Sequence, residues 1–243
     1  MDITTRFASA LTALDIDTIP PSAGSVLSEV RDSLSLRETN LIFRATASQP
    51  RVLDELWAAV RPAVAEGRFH TTAADLTPID ASRPPKGSEP FQLLATQHPI
   101  TARLLVLARA WRHLVIEDPA DLPSPMPSPR TPQGDGPAAE VARELGLPLV
   151  PTIFARVEPW PEALEVIRQV ASASPARSSL ADEIRAVTHQ VDATLSGWPW
   201  PPPGMAPMRP GWPLATVLTG FADGFLPTVH TLVGRTVAAW PTP

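Results

Sequence analysis

The feature that most constrains this chain is a passage it carries twice. Residues 41–57 and 152–168 align so that Ile42, Phe43, Pro50 and Leu53 fall on Ile153, Phe154, Pro161 and Leu164, always 111 positions apart, with Asp54 opposite Glu165. A second echo sets Leu94 to Pro99 and Leu105 against Phe221 to Pro227 and Val233, with the prolines 128 positions apart. In each copy the pattern predicts an apolar helical turn broken by proline, after which an apolar helix resumes. Copies in matching order with unequal spacing imply one supersecondary unit used twice with different loop lengths. A pocket is then expected between the halves, where two faces that cannot be buried alone meet.

Apolar spacing says what the unit is made of. Val26, Val30 and Leu34 recur at helical intervals after Pro20-Pro21-Ser22. Val52, Leu53, Leu56, Trp57 and Val60 form a stripe behind Pro50, and Leu104, Leu105, Ala108 and Trp111 form another. The second half repeats this with Leu164, Ile167 and Val170, then Leu180, Ile184, Val187 and Val191, then Leu218, Phe221, Phe225 and Val229. Alternating strand patterns are almost absent. The expectation is an all-α protein, two tandem helical repeats forming a pseudo-twofold bundle.

The 31 prolines of the 243 residues punctuate this order. The segment 118–137 is dense in proline and glycine and fits neither helix nor central strand, since proline lacks the amide donor and restricts its predecessor. It reads as the linker between an N-terminal repeat, 1–117, and a C-terminal repeat, 138–243. Thr77 to Pro90 and Gly197 to Pro213 interrupt the two copies at about the same place.

Composition removes several classes of function. With no cysteine, disulfides, thiolate metal sites and cysteine nucleophiles are out. A net charge of −5 with no basic stripe argues against nucleic acid. No apolar run is long enough to span a bilayer, and the first residues lack the pattern of a secretory signal, so the expected location is cytoplasmic. Gly-rich phosphate loops, His-x-x-x-His pairs, nucleophile elbows and clustered His/Asp metal spacings are missing from the sequence.

The series Ile19-Pro20, Val30-Arg31, Asn40 to Ala45, Pro50 and Leu56-Trp57 resembles the first half of the group I D,L-2-haloacid dehalogenases. So do Leu94 to His98-Pro99 and Pro151-Thr152-Ile153-Phe154 to Trp160-Pro161. The resemblance runs in order from about residue 16 to residue 240 and rests on order, duplication and the Trp-Pro after the second Phe. It implies an all-helical pseudo-dimer that associates into a homodimer, needs no cofactor, and binds a short carboxylic acid between its repeats. It also implies an aspartate general base activating a water that displaces halide from C2.

Against that pattern, Leu41, Thr152, Ile153 and Phe154 take the place of pocket residues, and Ile153 stands where the aspartate belongs. An isoleucine cannot accept a proton, so dehalogenation is expected to be weak or absent. His98 takes the place of an asparagine before the mid-repeat proline, and Glu38 and Leu41 replace an aromatic pair. His98 and Glu38 are therefore the candidate acid/base pair, with Thr152 orienting a water; the alternative makes them a helix-end histidine and a solvated glutamate. Arg44 and Arg156 are the nearest cations for a substrate carboxylate, or else partners of neighbouring acids. Trp198, Trp200 and Trp212 form either a lid, a partner-binding surface on a non-catalytic scaffold, or a cap on the bundle.

Overall fold

The computed structural model describes residues 3–77, 88–124, 127–128, 134–172, 174–199 and 204–240. The protein is all-α. Its helices are α1 (Ile3–Thr12), α2 (Gly24–Leu34), α3 (Leu41–Ala47), α4 (Pro50–Ala65), α5 (Arg68–Asp75) and α6 (Glu89–Leu114), then α7 (Pro137–Glu144), α8 (Thr152–Val157), α9 (Pro161–Ser172), α10 (Ser174–Ser196), α11 (Trp212–Gly220) and α12 (Leu226–Ala238). Among the described residues no strand forms, and Val115 and Met208 make a lone parallel bridge. There Met208 N donates to Leu114 O (2.7 Å) and Ile116 N to Met208 O (2.9 Å), fastening the segment before α11 to the end of α6.

Proline starts helices here more than it stops them. Pro50 and Pro161 open α4 and α9, and Pro90, Pro137, Pro213 and Pro227 lie in the first turns of α6, α7, α11 and α12. A first-turn amide has no intrahelical acceptor, so proline loses nothing there and arrives with φ preset. The onsets of α3 and α8, at Leu41 and Thr152, and those of α4 and α9 stand in the register seen in the sequence.

The expected break at Pro99 does not occur: α6 runs for 26 residues straight through it. Interior proline costs roughly 3 kcal/mol through the lost amide and the ring's clash with the carbonyl four residues back. The helix absorbs that cost because Leu94, Ala102, Leu105, Val106, Leu107, Ala108 and Ala110 around it are completely buried. The counterpart in the second half is built differently. Phe221–Phe225 form a π-helical turn joining α11 to α12, in which Leu226 N donates to Phe221 O five residues back. Pro227 offers no amide to the carbonyl of Asp223, and the π register lets carbonyls here reach one residue further along.

Two apolar cores form, and they interleave along the chain. One gathers α1–α5, the C-terminal half of α6 (Ala102 to Leu114), Val191 and Leu195 of α10, and α11. The other gathers Phe91 and Leu94 from the N-terminal half of α6 with α7, α8, α9 and α12. Packing thus crosses the division drawn at 118–137. That segment holds a short 3-10 turn, Pro119–Asp121, and ends where Pro137 opens α7; 125–126 and 129–133 lie outside the described residues, as do 78–87 of the first-half loop. Trp198 and Trp212 pack, partly buried, against the first core; Trp200 lies outside the described residues. Among the described residues no helix is long and apolar enough to cross a membrane.

Candidate functional site

Where the two duplicated motifs approach each other there is a cleft of about 110 Å³. Leu41 and Ile42 at the start of α3 face it, as do Thr152 and Ile153 at the start of α8; Gln97, Ile100, Thr101 and Leu104 of α6 and Phe225, Leu226 and Val229 around the start of α12 complete most of the wall. Gln97, Thr101 and Leu104 share one α6 face because they sit four and three residues apart. Among the described residues no ionisable side chain lines the cleft; Asn40, Gln97, Thr101 and Thr152 are its polar members.

Three of the four pocket residues expected from sequence, Leu41, Thr152 and Ile153, therefore share this cleft. The fourth, Phe154, does not line it: its neighbour Ile153 faces the cleft, and one residue on a helix turns a side chain by about 100°. Phe154 is fully buried among Leu164, Ile167 and other members of the second core. Ile153 is itself almost completely buried, so the position where a base would stand is an apolar wall.

His98 and Glu38 are not brought together. The Glu38 carboxylate is half exposed and accepts from Arg156 Nη2 at 2.8 Å. Arg44 donates from Nε to Ile16 O (2.8 Å) and pairs with Asp17 at 3.2 Å. Both candidate carboxylate-binding cations are thus engaged outside the cleft.

His98 is a mid-helix residue on another face of α6. Its ring stacks on that of His230 from α12, with centroids 4.5 Å apart and planes at 18°. A side chain at Gly234 would come within 2.8 Å of His98 Nε2, so glycine makes room for the ring. Burial pushes the His98 imidazole down to about 4. Burial, and secondarily the neighbouring His98, push His230 down to about 3, against the pull of a hydrogen bond to the Leu76 backbone carbonyl. Two stacked rings out of water resist sharing space with even one positive charge. They border a broad depression of about 410 Å³ with Leu76, Val187 and Gln190, and the Glu183–Arg235 pair (2.7 Å) lies at its edge. Thr101 joins this pair to the cleft: it lines the cleft, and its Oγ1 donates to His98 O (2.8 Å) and lies 3.1 Å from His230 Nδ1.

Sequence reasoning missed a further group, Arg109 with two carboxylates. Arg109 is 8% exposed; its Nε and Nη2 donate to Asp192 of α10 (2.9 and 2.5 Å), and its Nη1 pairs with Asp223 in the π turn. Arg112 Nε also reaches Asp223 (3.3 Å), and His113 Nε2 lies 3.4 Å from Asp192. The partners are 83 and 114 residues away, so no local pattern marks them. Among the described residues no group of three or more His, Asp or Glu is placed to hold a metal ion.

Fold and cleft together define a helical protein with a neutral cleft where two like-built segments meet. Comparison with protein-family models, with curated proteins and with solved structures returns no match for this chain.

Proposed function

We propose that the chain is a silenced relative of the D,L-2-haloacid dehalogenases, a duplicated helical unit that binds a short-chain molecule between its halves without hydrolysing it. The carrying observation is the cleft wall: it holds Leu41, Thr152 and Ile153 together and contains no group able to take a proton from water. The matching onsets of α3 and α8 and of α4 and α9 support common descent of the two halves. At about 110 Å³ the cleft is well below the roughly 300–1,000 Å³ of drug-sized ligand sites and suits a short-chain acid or its amide. Its polar members are neutral, so its ligand carries one small polar head on an aliphatic body, and the uncharged form binds better than the carboxylate.

The test is halide release from the separate D and L forms of 2-chloropropionate, with Ile153→Asp beside the wild type, and NMR titration of both proteins with 2-chloropropionate and propionamide. Wild type is expected to bind without releasing halide. Ile153→Asp is expected to gain release, a positioned base being worth on the order of 10²–10⁴ in rate. Halide release by wild type, or no chemical-shift change in cleft residues with either ligand, overturns the proposal.

A further inference from the structure

A second, half-open space adjoins the cleft at Phe225, with exposed Ile3 in its wall, and forms its rear chamber. Its volume is about 200 Å³, against about 110 Å³ for the cleft. Ile3, Thr4 and Phe7 of α1 form one wall; Leu145 to Pro148, Gly220 and Gly224, and Thr228 form the rest. Phe225 lines both spaces. Two continuous stretches of chain also run from one to the other. The segment after α7 lines the rear chamber with Leu145 to Pro148 and the cleft with Leu149 to Ile153. The π turn and its flanks give Gly220 and Gly224 to the rear chamber and Phe221 to the cleft.

Phe225 is thus the shared partition. Its ring is held from two sides, by Phe221 (centroids 5.7 Å, planes at 83°) and by Phe7 (6.3 Å, 41°). Phe7 in turn lies against Gly220, where a Cβ would approach its ring to 2.5 Å. The partition belongs to a π turn, a local geometry kept where a side chain must be re-aimed out of ordinary helical register. Among the described residues neither chamber has an ionisable side chain in its wall; Asn40, Gln97, Thr101 and Thr152 are the polar side chains of the cleft, and Thr4 and Thr228 those of the rear chamber.

Resting on the cleft as a small-molecule site, we propose that Phe225 sets the chain length of the ligand: the head sits among Asn40, Gln97 and Thr152, and the rear chamber takes the tail of a linear, uncharged aliphatic molecule when the Phe225 ring swings aside. In the resting position the ring limits the occupant to a short chain. With the ring removed, each further methylene that enters the rear chamber strengthens binding about fourfold, the value of burying one CH₂.

The experiment is calorimetric titration of the full chain with linear primary amides from propionamide to octanamide. Wild type is expected to bind butanamide with affinity rising little beyond five carbons. Phe225→Ala should bind octanamide at least tenfold more tightly than wild type does, and Phe225→Leu, which keeps more of the packing, about threefold. Thr4→Phe, placed on the half-exposed wall of the rear chamber, should cancel the gain in Phe225→Ala and leave butanamide binding unchanged. Folded Phe225→Ala or Phe225→Leu protein that binds octanamide no better than wild type overturns the partition, while butanamide binding by wild type keeps the cleft itself as a site. Failure of every amide to bind any of the proteins sinks the cleft reading and the partition together. A gain that survives Thr4→Phe overturns the rear chamber as the place of the tail.

Discussion

The seam between α6 and α12 has two unlike sides. Toward α3 and α8 it is neutral, with Thr101, Leu104, Leu226 and Val229 facing the cleft. Toward α10 it carries two stacked imidazoles, and further along α6 the Arg109 guanidinium holds two carboxylates. A single helix can do both because residues three and four apart share a face and the next residue along does not. Gln97 and Thr101 look into the cleft; His98, between them in sequence, does not line it. The lesson concerns where chemistry is placed. The ionisable groups of this seam hold helices together, and the cavity was left without them.

Acid separates the two sides most strongly. Unfolded histidine titrates near 6.5, while the folded pair stays neutral to about 4 and about 3. The unfolded chain therefore binds the extra protons as pH falls below 6.5, and stability present above that pH drains away down to about pH 4. The loss is on the order of 3 kcal/mol per imidazole. Urea midpoints at pH 7 and pH 4.5 measure it, and His98→Phe, which keeps a flat ring on His230, should remove about half of the dependence, the buried His230 supplying the rest. Equal slopes in variant and wild type would break the comparison.

Arg109→Ala should come next. It leaves Asp192 and Asp223 facing each other's neighbourhood without their shared cation, and removal of one partner from a buried pair costs 3–5 kcal/mol where burial is complete. Both carboxylates are about 30% exposed, so water softens the loss to about 2 kcal/mol in thermal or urea unfolding. Arg109→Met combined with Asp192→Asn and Asp223→Asn should recover most of it. On the neutral side, Gly220→Ala pushes a methyl group into the Phe7 ring and should cost about 1–2 kcal/mol, with no change between pH 7 and pH 5. Glu38→Gln touches neither side. It breaks an exposed pair with Arg156 and should shift stability by less than about 0.5 kcal/mol while leaving ligand binding intact.

Much of the helical layout was legible because its signals are local. Pro50 and Pro161 mark helix starts by the physics of a first-turn amide, and the stripes of Val30 and Leu34 or Leu164 and Ile167 bury as their spacing requires. Leu41, Thr152 and Ile153 were singled out through the family resemblance, and the structure sets all three around one cleft. What escaped depends on distant partners or on exceptions to local rules. Pro99 breaks helices by rule, and only the buried surroundings of α6 explain why this one continues. The stripe Leu218, Phe221, Phe225 and Val229 looks like ordinary helix in sequence, and nothing in it marks the π turn that aims Phe225 between two chambers. Arg109 finds Asp192 and Asp223 only once three helical segments have met.

Helix α1 leans chiefly on α11, about 200 residues further along the chain. Phe7 of α1 rests on Gly220 and packs edge-on against Phe221, and Glu117 clasps Arg6 on one side and Thr216 Oγ1 (2.6 Å) on the other. On a ribosome the apolar face of α1 (Ile3–Thr12) emerges long before α11 (Trp212–Gly220) and must wait, uncovered, until that helix follows. Contacts so far apart along a chain form slowly, and waiting surfaces are where nascent proteins clump or recruit chaperones. The clasp around Glu117 acts as a late latch, closing only once Thr216 of α11 has joined Arg6 of α1.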